Sequence, residues 1–400
     1  MNNITSPNSI HPCTSCQLCA AVCPKGAITI RTNEEGFYRP VLDESLCIDC
    51  GLCTKVCYKY KPITPTPPSD YPNIEVWAAA CKDEQVLKET TSGGVADVFA
   101  RELIKQGYYC CGVTYDSDAN RAVNQIAVNE AETLAFRGSK YIQSYTFPAF
   151  KKLISEYAGK KIAVFGTPCH IFAIDQYLRF RKKREQAILI DFYCHGCPSL
   201  NLWKKYVKEN LPDNGTLSNV RFRSKHRGWG RYCIEANTPK GKYISPAVND
   251  AFYTLFFSDH VLNESCHTCE LRSTLQYTDI RIGDFWGKLY DFNKKGVSIV
   301  TPVTEVGKSL FKDVKDRLIT NRHRQTDVIP YQSWGKTYTP NAPLRKRLLT
   351  ELADENIPLK NTIKHYRESL TGKQRLKLGI KNIILRLPSP IISLIKKIYH

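Results

Sequence analysis

The chain has 400 residues, 42% hydrophobic and 24% charged, with 57 Lys and Arg against 38 Asp and Glu for a formal net charge of +19. This length and apolar content exclude a disordered chain or a single small module, and two to three domains are expected. Its opening residues are polar, and no apolar run nears the roughly 20 residues a bilayer span needs, so the 17 cysteines suggest metal ligands in a cytoplasmic protein rather than secreted disulfides.

Eight cysteines fall in two matched runs, Cys13, Cys16, Cys19, Cys23 and Cys47, Cys50, Cys53, Cys57. Each has the C-x2-C-x2-C-x3-C spacing of a bacterial two-cluster ferredoxin, in which three close cysteines hold one 4Fe–4S cube and the fourth reaches the other. Cys13, Cys16, Cys19 and Cys57 are therefore assigned to one cluster, and Cys47, Cys50, Cys53 and Cys23 to the second. Paired zinc knuckles are the alternative, but they present cysteines in twos across longer loops. Tyr58 stands where the second run would often carry proline. Short strands at 27–30 and 37–40 complete a small α+β domain over residues 1–61. Five prolines in 61–72 predict a stiff, extended linker over 62–73.

Beyond it, strands alternate with helices. Strands are expected at 75–81, 109–115, 124–128, 161–165 and 187–192, and helices at 95–105, stopping at Gly107, and at 147–157. That order argues an α/β domain on a largely parallel sheet, and a hairpin at 231–236 and 242–245 makes the sheet mixed. Residues 361–400 carry nine Lys or Arg against one Glu, with Leu378, Ile380, Ile383, Ile384 and Leu387, then Ile391, Ile392, Leu394 and Ile395. This is either a basic surface helix lying on anionic lipid or a partner, or a C-terminal helix packed on the body.

Five motifs follow in order: Thr91-Ser92-Gly93-Gly94, Gly138-Ser139-Lys140-Tyr141, Gly166-Thr167-Pro168-Cys169, Cys194-His195-Gly196, and 279–287, Asp-Ile-Arg-Ile-Gly-Asp-Phe-Trp-Gly. In these the chain resembles the beta subunit family of deazaflavin coenzyme F-420 hydrogenases and dehydrogenases, which also includes a plant chlorophyll-derivative reductase. The resemblance divides the large region into an N-terminal part, 74–155, and a C-terminal part, 156–325, followed by a basic region, 326–400. It implies an α/β flavoprotein with FAD and a third cluster. Cys169, Cys194, Cys266 and Cys269 are the expected ligands, and Cys197 is the rival. Cys81, Cys110, Cys111 and Cys233 are expected to be buried thiols acting as small hydrophobes. His170 stands where relatives often carry Gln.

Thr91, Ser92, Gly93 and Gly94 precede a helix and suit a flavin pyrophosphate, or else form a capped turn. Lys140 either meets phosphate or lies at the surface; Tyr141, Gly166 and Thr167 are the other expected cofactor contacts. Lys140, His195 and Asp284 are the acid–base candidates. No GxGxxG follows a strand, so a Rossmann site is not expected. The basic runs at 179–184 and 221–227 are expected to be solvated faces, and no nucleic-acid motif accompanies them.

The expected activity is that of an iron–sulfur flavoprotein oxidoreductase passing electrons through the ferredoxin-like module, a third cluster and FAD to an organic two-electron substrate, deazaflavin-like or a glycan precursor. A redox protein or small carrier would be its partner, with peripheral membrane contact through the basic C-terminus. The alternative is a non-catalytic electron-transfer subunit docking a separate enzyme.

Overall fold

The computed structural model describes residues 2–211 and 217–387. The positions from 388 onward, including the apolar group 391–395, lie outside them. In the N-terminal region α1 (Leu18–Val22) lies within the first cysteine run and α2 (Leu52–Lys55) within the second, flanking a hairpin of β1 (Ile28–Thr32) and β2 (Tyr38–Leu42). The 61–72 segment is not extended throughout. Pro68–Asn73 forms a 3-10 helix, because a proline at its start gives up only an amide that would lack a partner there. The segment is pinned to the body by Thr66 N donating to Ser273 O, and Tyr71 Oη accepts from Trp334 Nε1.

The elements that follow are β3 (Glu75–Cys81), α3 (Glu84–Glu89), α4 (Val95–Lys105), β4 (Tyr109–Asp116), β5 (Arg121–Ala127), α5 (Glu130–Thr133), β6 (Ser144–Tyr145), α6 (Phe147–Ile154), β7 (Ile162–Phe165), α7 (Pro168–Phe180), β8 (Ala187–Phe192) and α8 (Leu200–Asn210). After them come β9 (Ser218–Ser224), β10 (Cys233–Thr238), β11 (Gly241–Pro246), α9 (Ala251–Phe256), β12 (Ile280–Asp284), β13 (Ser298–Pro302), α10 (Glu305–Val314), β14 (Leu318–Arg324) and α11 (Gln325–Val328). The chain then forms α12 (Ala342–Ala353), α13 (Leu359–Ser369) and α14 (Gly372–Arg386).

Among the described residues nine strands make one mixed sheet, in the order β14-β3-β13-β12-β8-β7-β4-β5-β6. Its centre, β12-β8-β7-β4, is parallel. Strands from either side of residue 155 thus share one sheet. The expected hairpin is β10–β11, but it belongs to a separate three-stranded sheet with β9; the large sheet is mixed because β4–β5 and β12–β13 pair antiparallel.

The central strands alternate between two buried faces, which accounts for their almost continuous apolar sequence. Ala163, Ile188 and Ile190 pack with Val98, Phe99 and Phe311 of α4 and α10. Val164 and Leu189 pack with Phe150 and Ile171 of α6 and α7, and here Leu18 and Val22 of the N-terminal module join the same core. Gln17 latches the module further. Its side chain accepts from Thr146 N and Phe147 N, both at 3.0 Å, satisfying amides at the start of α6, and donates to Ser144 O at 2.9 Å. Tyr58 does the same at the other end: buried at 2% exposure, it stacks on His11, meets Phe172 edge-on and accepts from Glu270 N at 3.2 Å. The residue that departs from the proline pattern is therefore a docking residue. A third core, around Trp203, Phe222, Phe252 and Phe256, joins the small sheet to α8, α9, α12 and α13.

Candidate functional site

The two cysteine runs repeat in conformation as well as spacing. Ser15 and Gln17 in the first loop and Asp49 and Gly51 in the second, offset by the same interval, all take positive φ, between 52° and 71°. Three of the four are not glycine, and such backbone persists only where the surroundings impose it. Each loop curls round its own thiols. Cys19 lies within electrostatic reach of Cys57, Cys16 and Cys13, and less strongly of Cys53, whereas Cys53 lies within reach of Cys50 and Cys23. Each run's last cysteine therefore lies beside the other run's thiols. Burial pushes the Cys16 and Cys53 thiols up to about 11, so thiolates there require a cationic centre, which iron supplies.

A second gathering of thiols lies in the large domain. Cys169 is not in a turn between elements but in the first turn of α7, where the helix N-terminus favours a thiolate, and Thr167 Oγ1 sits 3.1 Å from its sulfur. Cys194 and Cys197 follow β8, and Cys266 and Cys269 come from the loop before β12. They converge: Cys169 feels Cys197 and Cys194, Cys194 feels Cys266 and Cys269, and Cys197 N donates to Cys266 Sγ at 3.4 Å. Burial pushes the Cys194 thiol up to about 12. Five thiols thus surround a place that a cubane fills with four. Cys16 of the module is also within reach of Cys169, so the first module group borders this one. Among the described residues no three or more His, Cys, Asp or Glu close round a position suited to one bare metal ion.

Beside these thiols opens a cavity of about 990 Å³, whose wall includes Cys194 and Cys197. It lies at the carboxyl ends of β7, β8 and β12, where ligands bind in open α/β sheets. Its size is at the upper end for small-molecule and cofactor pockets. The acidic wall residues are paired: Asp97 with Arg101 and Arg137, Asp191 with Arg281, and Asp284 with Arg223. Arg227, Lys336 and Arg367 add positive charge. His170 Nδ1 and Arg223 Nε are buried in this wall with no partner in the chain. A large anionic aromatic ligand fits such a lining.

Nearly all the cofactor and acid–base candidates read from the sequence meet here. Thr91, Ser92, Gly94, Lys140, Tyr141, Gly166, Thr167, His195 and Asp284 line the cavity. Gly93 lies behind it: a Cβ there would run into Ala79 O and Ser298 N of the neighbouring strands. Ser92 Oγ donates to Val297 O, and Thr91 Oγ1 accepts from Ser139 N, so two of the motifs are tied together. Lys140 is neither a surface group nor a free cation; its ammonium donates to Val113 O, Ala135 O and Arg137 O at 2.9, 3.1 and 3.0 Å. Asp284 accepts from Arg223 and from Trp229 Nε1 at 2.7 Å, which fixes its side chain in place. His195 keeps proton-handling contacts, with Nε2 2.9 Å from Asp259 Oδ1 and Nδ1 3.1 Å from Tyr338 Oη.

The roles of three arginines escape the sequence. Arg223, expected on a solvated face, is 5% exposed, bonds Tyr141 Oη, and lies over the Tyr232 and Trp286 rings. Lys225, one residue past the end of β9, is drawn in too, and donates to Leu87 O, Ser92 O and Lys295 O. Arg272, 3% exposed, donates to Cys194 O and His195 O and lies within reach of Cys269, Cys266 and Cys194, a built-in countercharge for thiolates. Arg281 pairs with fully buried Asp191 and donates to the carbonyls of Leu271, Arg272 and Thr274, fixing the loop after Cys269. The other basic run is partly turned inward as well, since Arg184 bridges Asp175 and Asp279.

Residues 159–325 match the family described as the C terminus of the coenzyme F420 hydrogenase/dehydrogenase beta subunit, and residues 12–59 match the 4Fe-4S dicluster domain. The F subunit of the F(420)H(2) dehydrogenase of Methanosarcina mazei is 22% identical over 320 residues, spanning 76% of this chain and 83% of that protein. The beta subunit of the coenzyme F420 hydrogenase of Methanococcus voltae is 23% identical over 252 residues, 60% of this chain and 84% of that protein. A chain of the F420-reducing NiFe hydrogenase complex from Methanosarcina barkeri is 17% identical with a TM-score of 0.47, covering 78% of this chain and 98% of that one.

Proposed function

We propose that this chain, which belongs to the coenzyme F420 hydrogenase/dehydrogenase beta subunit family and carries a 4Fe-4S dicluster domain, is an iron–sulfur flavoprotein oxidoreductase for an anionic organic two-electron substrate. The observation that carries this is the wall shared by a five-thiol group and a large cationic cavity, with the ferredoxin-like thiols adjoining on the far side. When bound, the clusters carry single electrons and a flavin supplies two-electron and hydride chemistry.

The residues divide that work. Cys169, Cys194, Cys266 and Cys269 would hold the third cluster, with Arg272 balancing its charge. The start of α4 and Arg223 would take the anionic and aromatic parts of FAD, with Tyr141, Gly166 and Thr167 shaping the wall. Lys140 positions the 138–141 segment through its three carbonyls. His195, held by Asp259 and Tyr338, is the wall group suited to hold a proton. The substrate class is a deazaflavin-like coenzyme or an anionic glycan precursor, with a redox protein or small carrier at the module.

The test is anaerobic addition of reduced deazaflavin coenzyme to the purified holoprotein. Bleaching of both cluster and flavin absorption, at one equivalent of donor per two electrons taken up, is the expected result. Bleaching by dithionite in a flavin-free protein instead leaves an electron-transfer role beside a separate enzyme, which suits relatives that are themselves named as parts of larger enzymes.

A further inference from the structure

Helix α14 presents two different faces. It begins with a capping box, Thr371 and Gln374 bonding reciprocally, so its start is fixed. Leu378 and Asn382 belong to the cavity wall. On the opposite side Leu376, Ile380 and Ile383 are 66%, 50% and 64% exposed. Spaced i, i+4 and i+7, they form a single stripe along the helix. At about 100° per residue, Lys373 and Lys377 fall on one flank of that stripe and Arg375 on the other, and all three are exposed. The helix carries five Lys or Arg and no Asp or Glu.

A helix packed only against its own protein would turn three large aliphatic residues inward rather than hold them in water. Basic side chains on both sides of the apolar stripe suit the boundary of an anionic leaflet, where the stripe meets the acyl region and the ammoniums meet phosphate. No helix among the described residues is long and apolar enough to cross a membrane. We propose that α14 docks the chain peripherally on an anionic phospholipid bilayer, its aliphatic stripe inserted and its other face still closing the cavity. α14 then stands between the leaflet and the cavity, since Leu378 and Asn382 on its other face belong to the cavity wall. This goes beyond the redox role and does not depend on it.

The test is flotation of the full-length holoprotein with vesicles of phosphatidylcholine alone or mixed in equal parts with phosphatidylglycerol. The expected result is binding to the mixed vesicles at least about tenfold above the neutral ones, weakened by salt. The triple variant Leu376→Ser, Ile380→Ser, Ile383→Ser should lose at least about tenfold of that binding with unchanged iron content and circular dichroism. A second variant, Lys373→Gln with Lys377→Gln, should steepen the loss without altering the fold. Equal binding to both vesicles, no binding to either, or undiminished binding by the triple variant would overturn the proposal. Failure to bind lipid combined with stripe-dependent capture of an acidic protein would replace the bilayer by that protein.

Discussion

The two thiol-rich regions of this molecule reach the same kind of arrangement by opposite routes. In the N-terminal module the ligand spacing is local: each run curls through two positive-φ residues and sets its last cysteine beside the other run's thiols. In the large domain Cys169, Cys194 and the 266–269 pair come from three distant segments, held together by parallel pairing of β7, β8 and β12 and by the Arg281–Asp191 pair. A local site depends on its own loop, whereas an assembled site depends on the whole sheet. Damage should therefore spread differently in the two.

The largest expected effect is on iron. Cys23→Ala should remove the cluster otherwise held by Cys47, Cys50 and Cys53, and Cys269→Ala the large-domain cluster, each taking about four iron from about twelve. Cys197→Ala should keep all of it, since Cys169, Cys194, Cys266 and Cys269 are the proposed ligands and Cys197 is not. Iron analysis with paramagnetic resonance of the reduced proteins reads these outcomes, and loss of iron in Cys197→Ala would reassign a ligand.

Next in size is the support beneath the assembled site. Asp191→Ala leaves Arg281 buried and unpaired, which should cost about 3–5 kcal/mol and take the large-domain cluster with it while sparing the module pair. Denaturant unfolding and iron content together check this. Loss of the module clusters as well would show that the two regions are not independent.

A smaller effect is expected at the joint. Gln17→Gly gives the first loop the residue that Gly51 provides in the second, so the turn is kept and the latch on α6 is lost. The expected cost is about 1–2 kcal/mol in unfolding with iron content unchanged. The smallest effect is electrostatic. Burial pulls the Lys140 ammonium down to about 7, so between that value and the unfolded lysine value near 10.4 the unfolded chain binds more protons. Stability contributed by this site therefore rises with pH across that window, and Lys140→Met should flatten the rise seen in thermal unfolding between neutral and moderately alkaline pH.

The sequence revealed most where chemistry was local. Helix α4 was visible in its apolar period and the Gly107 stop, and β8 in the apolar run 187–190 that precedes Asp191. The start of β5 was hidden because Arg121 belongs by composition to the preceding turn, although it pairs with Asp116 across that short hairpin. The cavity residues were legible as motifs, but their roles were not: the engagement of Lys140 with three carbonyls depends on where 113 and 135–137 fold. Arg223, Arg272 and Arg281 were hidden for the same reason. A charged side chain is expected outside unless its partner is known, and Asp284, the Cys194 carbonyl and Asp191 are 61, 78 and 90 residues away along the chain.

The most direct test of a local and an assembled redox site flanking a flavin cavity is iron, sulfide and released flavin measured on one anaerobically purified sample. About twelve iron, matching sulfide and one flavin per chain are expected. About eight iron and no flavin would contradict the assembled site and leave only the ferredoxin-like module.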